Sequence, residues 1–136
     1  MSWVVRLTAL TVAVSLAGLW TAAAWLTPSP RGFGTHQGLG LPPCSIVQWT
    51  GVRCPSCGMT TSWAYLIRGN LLGSLRANTG GCLLGIVALA AVPWCFGASA
   101  TGRWWWIGPD ERLGLAVAVL ILLVTLVDWV LRLAWA

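Results

Sequence analysis

The chain has 136 residues, of which 57% are apolar and only 8% are charged. Soluble globular domains carry charge on about a quarter of their residues, so this composition excludes a soluble monomer, and the mean hydropathy of +0.78 argues against disorder. The length fits one domain. The composition therefore predicts a small multi-pass membrane protein, a single integral membrane domain over residues 1–136.

The basic residues are all arginine, and the net charge is +5. The eight arginines are scattered singly and form no patch, so nucleic acid is not a predicted partner. Arginine at the edges of apolar segments is typical of membrane topology and lipid headgroup contact. The bilayer is therefore the predicted partner, and a membrane-protein partner or a homo-oligomer stays open.

Three charge-poor segments are long enough to cross a bilayer, which takes about 20 apolar residues. We expect transmembrane helices over residues 5–26, 79–99 and 112–133. The first apolar run exceeds the roughly 7–15 residues of the apolar region of a signal peptide, so we expect it to remain as an anchor. Small residues four apart in the first two segments predict close helix packing: Ala9, Ala13 and Ala17, and Ala77, Gly81 and Gly85.

The connection over residues 27–78 is predicted to contain more than a linker. Residues 27–43 are rich in proline and glycine, which indicates an irregular loop. Between Arg53 and Arg68 lies a charge-free stretch of 14 residues, too short to span the membrane. Its apolar residues share one helical face, which predicts an interfacial or re-entrant helix, and a second short helix follows it. The predicted fold class is an all-α membrane protein with about three transmembrane helices and one or two short interfacial helices after a C-P-x-C-G turn.

Five cysteines are present, and two chemistries fit the pair in Cys54-Pro55-Ser56-Cys57-Gly58. Cys82 and Cys95 lie in the second predicted span, where lone cysteines usually serve as packing residues. If Pro55 is the first residue of a helix, Cys54 caps that helix and its thiolate is stabilised by free N–H groups. Cys54 would then be the attacking sulfur and Cys57 the resolving sulfur of a thiol-disulfide oxidoreductase.

The second chemistry is metal binding. The C-P-x-C-G sequence resembles the tight turns that hold zinc or iron, in which the glycine lets the turn close. Such a site needs four ligands, and the loop offers Cys44 and His36 beside Cys54 and Cys57. A purely structural turn is the third interpretation. The sequence leaves the cofactor open between zinc, iron and none.

The chain resembles the bacterial domain-of-unknown-function family 2752 in two motifs, Cys54-Pro55-Ser56-Cys57-Gly58-Met59-Thr60 and Leu75-Arg76-Ala77-Asn78. The family's small membrane proteins carry C-P-x-C-G-x-T-R and a later L-R-x-N-P, and the resemblance covers about residues 44–100. It implies a protein of the bacterial inner (plasma) membrane. This sequence has Thr61 where the family has Arg, and Thr79 where it has Pro. Because the family has no established activity, the resemblance indicates a site without a reaction.

Asp128 and Arg132 are four residues apart near the end of the third span, so we expect them to pair on one helix face. The predicted structural or interface residues are Pro55, Gly58, Thr60, Asn78, Asp128 and Arg132. The arginine count leaves the orientation of the cysteine loop open. The leading functional hypothesis is a non-enzymatic membrane component or partner-binding subunit organised by the C-P-x-C-G turn. The alternatives are the oxidoreductase and the metal site.

Overall fold

A computed structural model describes residues 1–135, which form α-helices, one 3-10 helix and connecting loops without a strand. The helices are α1 (Trp3–Trp25), α2 (Ser45–Thr50), α3 (Met59–Leu66), α4 (Leu71–Ala77), α5 (Thr79–Thr101) and α6 (Glu111–Ala134), and the 3-10 helix Thr35–Leu39 precedes α2. Three of them, α1, α5 and α6, are long and apolar enough to cross a membrane. The all-α membrane fold with three spans is therefore confirmed.

Polar caps explain where the three long helices begin. The side chains of Ser2, Asn78 and Asp110 accept hydrogen bonds from backbone N–H groups in the first turns of α1, α5 and α6. These bonds satisfy N–H groups that have no partner within the helix. The observed ends lie within two residues of the predicted spans because charges and caps mark them in the sequence.

Small side chains let α1 and α5 approach closely. Ala9 and Ala13 of α1 form a buried cluster with Cys95 of α5, and Trp94 and Trp104 partly cover it. The small residues predicted in the second span pack against a different helix. Gly81 and Gly85 of α5 lie against α3, where a Cβ would meet Met59 and the side chains of Trp63 and Leu66. The spacing of small residues thus predicted close packing, but it did not predict that Gly81 and Gly85 pack against α3.

The third span, α6, packs on α5 near one point. Thr125 is the buried residue of α6 among those described, and it lies so close to Gly80 that a Cβ there would overlap its side chain. Most of the remaining apolar side chains of α6 are exposed on the surface of the protein. They are expected to face lipid, since apolar burial does not drive helices together within a bilayer.

Arginine contacts show which helix ends lie together. At one end, the Arg6 guanidinium of α1 donates to the carbonyl oxygens of Ser99 and Ala100 in α5. At the other end, Arg68 donates to the carbonyls of Ala23 and Ala24 near the end of α1. Here we call that second end the cysteine end: residues 27–78 with the last turn of α1, the first turn of α5 and the last turns of α6. The opposite end comprises the start of α1, the end of α5 and residues 102–112.

Candidate functional site

The Cys54–Gly58 segment is a tight turn and not the start of a helix. The N–H of Cys57 donates to the carbonyl of Cys54 at 3.0 Å, and Met59 N–H donates to Ser56 at 3.2 Å. Gly58 then takes a left-handed conformation with φ +92°, and α3 begins after it. The expectation that Pro55 opens a helix capped by Cys54 is therefore wrong, because the turn is completed before the helical hydrogen bonds begin.

Gly58 is required for two reasons. Its positive φ is one that residues with a Cβ rarely adopt. A Cβ at this position would also lie 2.6 Å from the carbonyl oxygens of both Gly32 and Ala77. The turn is therefore pressed between the loop after α1 and the end of α4.

Three cysteine sulfurs meet at this turn. The Sγ atoms of Cys54 and Cys57 are 3.0 Å apart, and those of Cys44 and Cys54 are 3.7 Å apart. All three lie within 4.8 Å of one another. Cys54 is buried, whereas Cys44 and Cys57 are half-buried. Cys44 comes from the start of α2, so the cluster joins two separate segments of the chain.

The cluster makes its two central thiols chemically unequal. Burial by itself would raise the pKa of Cys54, but hydrogen bonds with Cys57, Ser56 and Cys44 stabilise its thiolate and lower the pKa to about 7. Burial and the hydrogen bond with Cys54 raise the pKa of Cys57 to about 12. One thiolate is thus favoured at neutral pH, and it is the one at Cys54.

His36 and Thr60 line the same cavity of about 220 Å³ as the three cysteines. The Nε2 atom of His36 is 3.2 Å from the carbonyl oxygen of Pro42, and the residue lies outside the group of ligand atoms that are within 4.8 Å of one another. The four predicted metal ligands therefore line one cavity, but three of them converge directly and the histidine does not.

Asn78 fastens the turn to the start of α5. Its side-chain amide donates to the carbonyls of Pro55 and Cys57 at 3.0 and 3.2 Å, and its oxygen accepts from Gly81 N–H at 2.7 Å. Asn78 is buried, so each of these bonds replaces contact with water. The two motifs of the sequence, which residues 61–74 separate, thus form one structural unit.

The end of α6 binds the same unit. Asp128 and Arg132 form an ion pair at 2.9 Å, and Arg132 also donates to the last carbonyls of α4, those of Leu75, Arg76 and Ala77. Asp128 accepts a hydrogen bond from the backbone N–H of Thr79 at 3.3 Å. A proline at position 79, as in the family motif, has no N–H to donate. Thr79 therefore permits a contact between α5 and α6 that the family residue would not.

Sequence reasoning missed two contacts that shape the site. Trp129 Nε1 donates to the carbonyl of Arg53, next to Cys54, at 2.6 Å. Thr61 is fully buried, and its hydroxyl lies 2.7 Å from that of Thr35. In the sequence, Thr61 is marked by the arginine that it replaces in the family motif, whereas no motif marks Trp129. Only the position of Trp129 beside the Asp128–Arg132 pair could have indicated its role.

Residues 44–92 match the family model described as Protein of unknown function (DUF2752), which confirms the resemblance. The matched segment begins at Cys44 and contains the three clustered cysteines, α3, α4 and the first part of α5. No curated protein and no solved structure matches the chain. The protein thus has three candidate membrane spans, a segment that matches the DUF2752 family model and a cluster of three cysteines.

Proposed function

We propose that this protein is a non-enzymatic membrane component that binds one thiophilic divalent metal ion, zinc or ferrous iron, through Cys44, Cys54 and Cys57. The observation that carries the proposal is the convergence of three sulfurs from two segments within 4.8 Å. A redox cycle needs only Cys54 and Cys57, whereas a tetrahedral metal site needs additional ligands. Metal binding therefore accounts for the position of Cys44.

The sulfur separations suit a tetrahedral ion. With metal–sulfur bonds of about 2.3 Å, two thiolates on one zinc ion lie about 3.8 Å apart. Cys44 and Cys54 are already at 3.7 Å. Cys54 and Cys57, at 3.0 Å, are at the distance of a hydrogen bond between a thiol and a thiolate, and they would separate by about 0.8 Å on binding metal.

The fourth ligand in this proposal is His36 or a group from outside the chain. His36 lines the cavity next to the sulfurs, so a local shift of the 3-10 helix Thr35–Leu39 would bring it to the ion. Three thiolates leave a divalent ion with one net negative charge, and the Arg53 guanidinium interacts favourably with Cys54 and Cys57 when they are ionised. The positive charge of Arg53 would thus balance the net negative charge of the metal with its three thiolates.

In this role the metal would organise structure rather than perform a reaction. It would link the start of α2 to the turn that precedes α3, and Asn78 would pass that constraint on to α5. The short helices α3 and α4 would then be held as a fixed surface against the bilayer or against a membrane-protein partner.

Elemental analysis of the purified protein tests the proposal. We expect one zinc or iron per chain in the wild type, the same ratio in Cys82→Ser, and loss of the metal in Cys44→Ser. Cys82 is the matched control because it is a buried cysteine of α5 outside the cluster. A wild type without stoichiometric metal, or a Cys44→Ser variant that retains all of it, would contradict the proposal.

A second candidate function is thiol-disulfide exchange, favoured by the 3.0 Å separation of the Cys54 and Cys57 sulfurs. In this cycle the two thiols form one disulfide and give up two protons and two electrons to an acceptor such as a membrane quinone, which becomes quinol. Cys54 would attack and Cys57 would resolve. The test is Cys57→Ser, which should accumulate a mixed disulfide at Cys54 with a substrate thiol. Absence of such an adduct under oxidising conditions would remove this candidate.

A further inference from the structure

A separate cavity at the cysteine end is lined by three arginines. It has a volume of about 470 Å³, and Arg31, Arg53 and Arg76 reach it from the loop after α1, from the residue before the turn and from α4. None of the clustered cysteines lines this cavity. The arginines come from three segments that are distant in the sequence, so the fold is what brings them together.

No carboxylate forms an ion pair with these three arginines among residues 1–135. The chain has three acidic residues, and two of them, Asp110 and Glu111, lie at the opposite end. The third, Asp128, is paired with Arg132, and that is the one ion pair within residues 1–135. The cavity therefore concentrates positive charge without an acidic side chain of the protein among its lining residues.

Two of the guanidinium groups pack against the same aromatic ring, that of Phe33. The Cζ atoms of Arg53 and Arg31 lie 4.6 and 5.2 Å from the centre of the Phe33 ring. Arg53 is fixed by a hydrogen bond of 2.8 Å from Nη2 to the carbonyl of Gly32.

The other polar lining groups are also hydrogen-bond donors. The Tyr65 hydroxyl and the Asn70 amide belong to the lining, together with the apolar side chain of Leu72. Guanidinium forks match the oxygen geometry of phosphate, which they bind through paired hydrogen bonds. Leu71 and Leu72 expose 51% and 58% of their surface next to the cavity. An occupant with a phosphate and an adjoining hydrocarbon portion fits both features.

We propose that the cavity of Arg31, Arg53 and Arg76 binds the phosphate group of an anionic phospholipid. The headgroup would occupy the arginine-lined volume, and the acyl chains would run along Leu71 and Leu72 into the bilayer. This cavity contains none of the three clustered cysteines, although Arg53 lies next to Cys54 in the sequence.

The test compares two double variants in detergent micelles. Arg31→Gln with Arg76→Gln removes two charges from the cavity, whereas Arg103→Gln with Arg112→Gln removes two exposed arginines at the opposite end. The side chains of Arg31 and Arg76 are exposed, and Arg76 donates no side-chain hydrogen bond among residues 1–135, so Arg76→Gln alone provides a milder second variant. Binding of phosphatidylglycerol is measured by native mass spectrometry, with phosphatidylcholine as the zwitterionic reference.

Each arginine near an anionic headgroup contributes about a factor of five in affinity. We therefore expect about 25-fold weaker phosphatidylglycerol binding in the cavity variant, about fivefold weaker binding in Arg76→Gln, and no change in the opposite-end variant. Equal losses in the two double variants, or equal binding of phosphatidylcholine and phosphatidylglycerol by the wild type, would overturn the proposal. Inorganic phosphate is titrated as a competitor. If it displaces the lipid at equal concentration, the site is one for free phosphate and the lipid assignment is wrong.

Discussion

The two ends of the helix bundle are held together to very different extents. At the cysteine end, side chains of α6 and α5 bind backbone carbonyls of the turn and of α4 over long sequence distances. At the opposite end, the long-range polar contacts are those of Arg6 with α5. The loop after α5 is held by a local hydrogen bond from Trp94 Nε1 to the carbonyl of Trp105. Because apolar surface does not drive helices together in lipid, polar contacts at the cysteine end decide where α6 lies. The same residues shape the cysteine site.

The largest effect is expected from Gly58→Ala. A residue with a Cβ in this left-handed conformation costs about 1–2 kcal/mol, and the overlap with two carbonyls adds roughly 1–3 kcal/mol. The free energy of unfolding, from denaturant titration in micelles, should fall by about 3 kcal/mol, and metal content should fall with it.

Gly69→Ala is the matched control for Gly58. Gly69 also has a positive φ, of +74°, but a Cβ there would meet no atom within 4 Å. It should therefore cost about 1–2 kcal/mol from backbone strain alone and leave the metal in place. Equal losses at the two glycines would show that the turn is not confined as described.

Asn78→Ala should have the next largest effect. It removes the amide that donates to the carbonyls of Pro55 and Cys57, leaving these partly buried carbonyls without that partner, at a cost of about 2–3 kcal/mol. Asn70→Ala is the comparison, since Asn70 is an exposed cap of α4 with one bond to Gly73 N–H and should cost about 1 kcal/mol. Thermal unfolding in detergent measures both. If Asn70→Ala proves the more damaging change, Asn78 does not fasten the turn.

Gly80→Ala tests the contact that positions α6 within the membrane. The new methyl group would overlap Thr125, so we expect a loss of about 1–3 kcal/mol from overpacking. Gly114→Ala places the same change on α6 in open space, where alanine favours the helix by up to about 1 kcal/mol. Unfolding of the two variants in the same micelles should therefore shift in opposite directions, and a shared direction would contradict the α5–α6 contact.

Trp129→Phe should give the smallest of these effects. It removes the hydrogen bond to the Arg53 carbonyl but keeps an aromatic ring, which predicts a loss of about 1 kcal/mol. Trp135→Phe is the control, because Trp135 is 88% exposed at the end of the chain. A change in the accessibility of Cys54 to a thiol reagent in Trp129→Phe, but not in Trp135→Phe, would link α6 to the site.

The fold was predictable where charge and length determine it. Arginines, polar caps and apolar length mark the three spans, so their ends were placed within two residues. The site was less predictable, because its geometry depends on contacts between distant segments. Nothing in the sequence around Asn78 indicates that its amide reaches Pro55. Because Gly58 adopts a left-handed conformation, α3 begins at Met59 and not at Pro55. The predicted apolar face of α3 also left out Thr61 and Ser62, which are fully buried together with Ala64.

Mass spectrometry of the intact protein, native and then denatured, tests the central claim most directly. The metal-site account predicts a native mass heavier than the chain by one zinc or iron ion. On denaturation it predicts the mass of a chain with all five cysteines reduced. A native mass without metal, together with a denatured mass lower by two hydrogen atoms, would contradict the account and show that the chain holds a disulfide in place of the metal site.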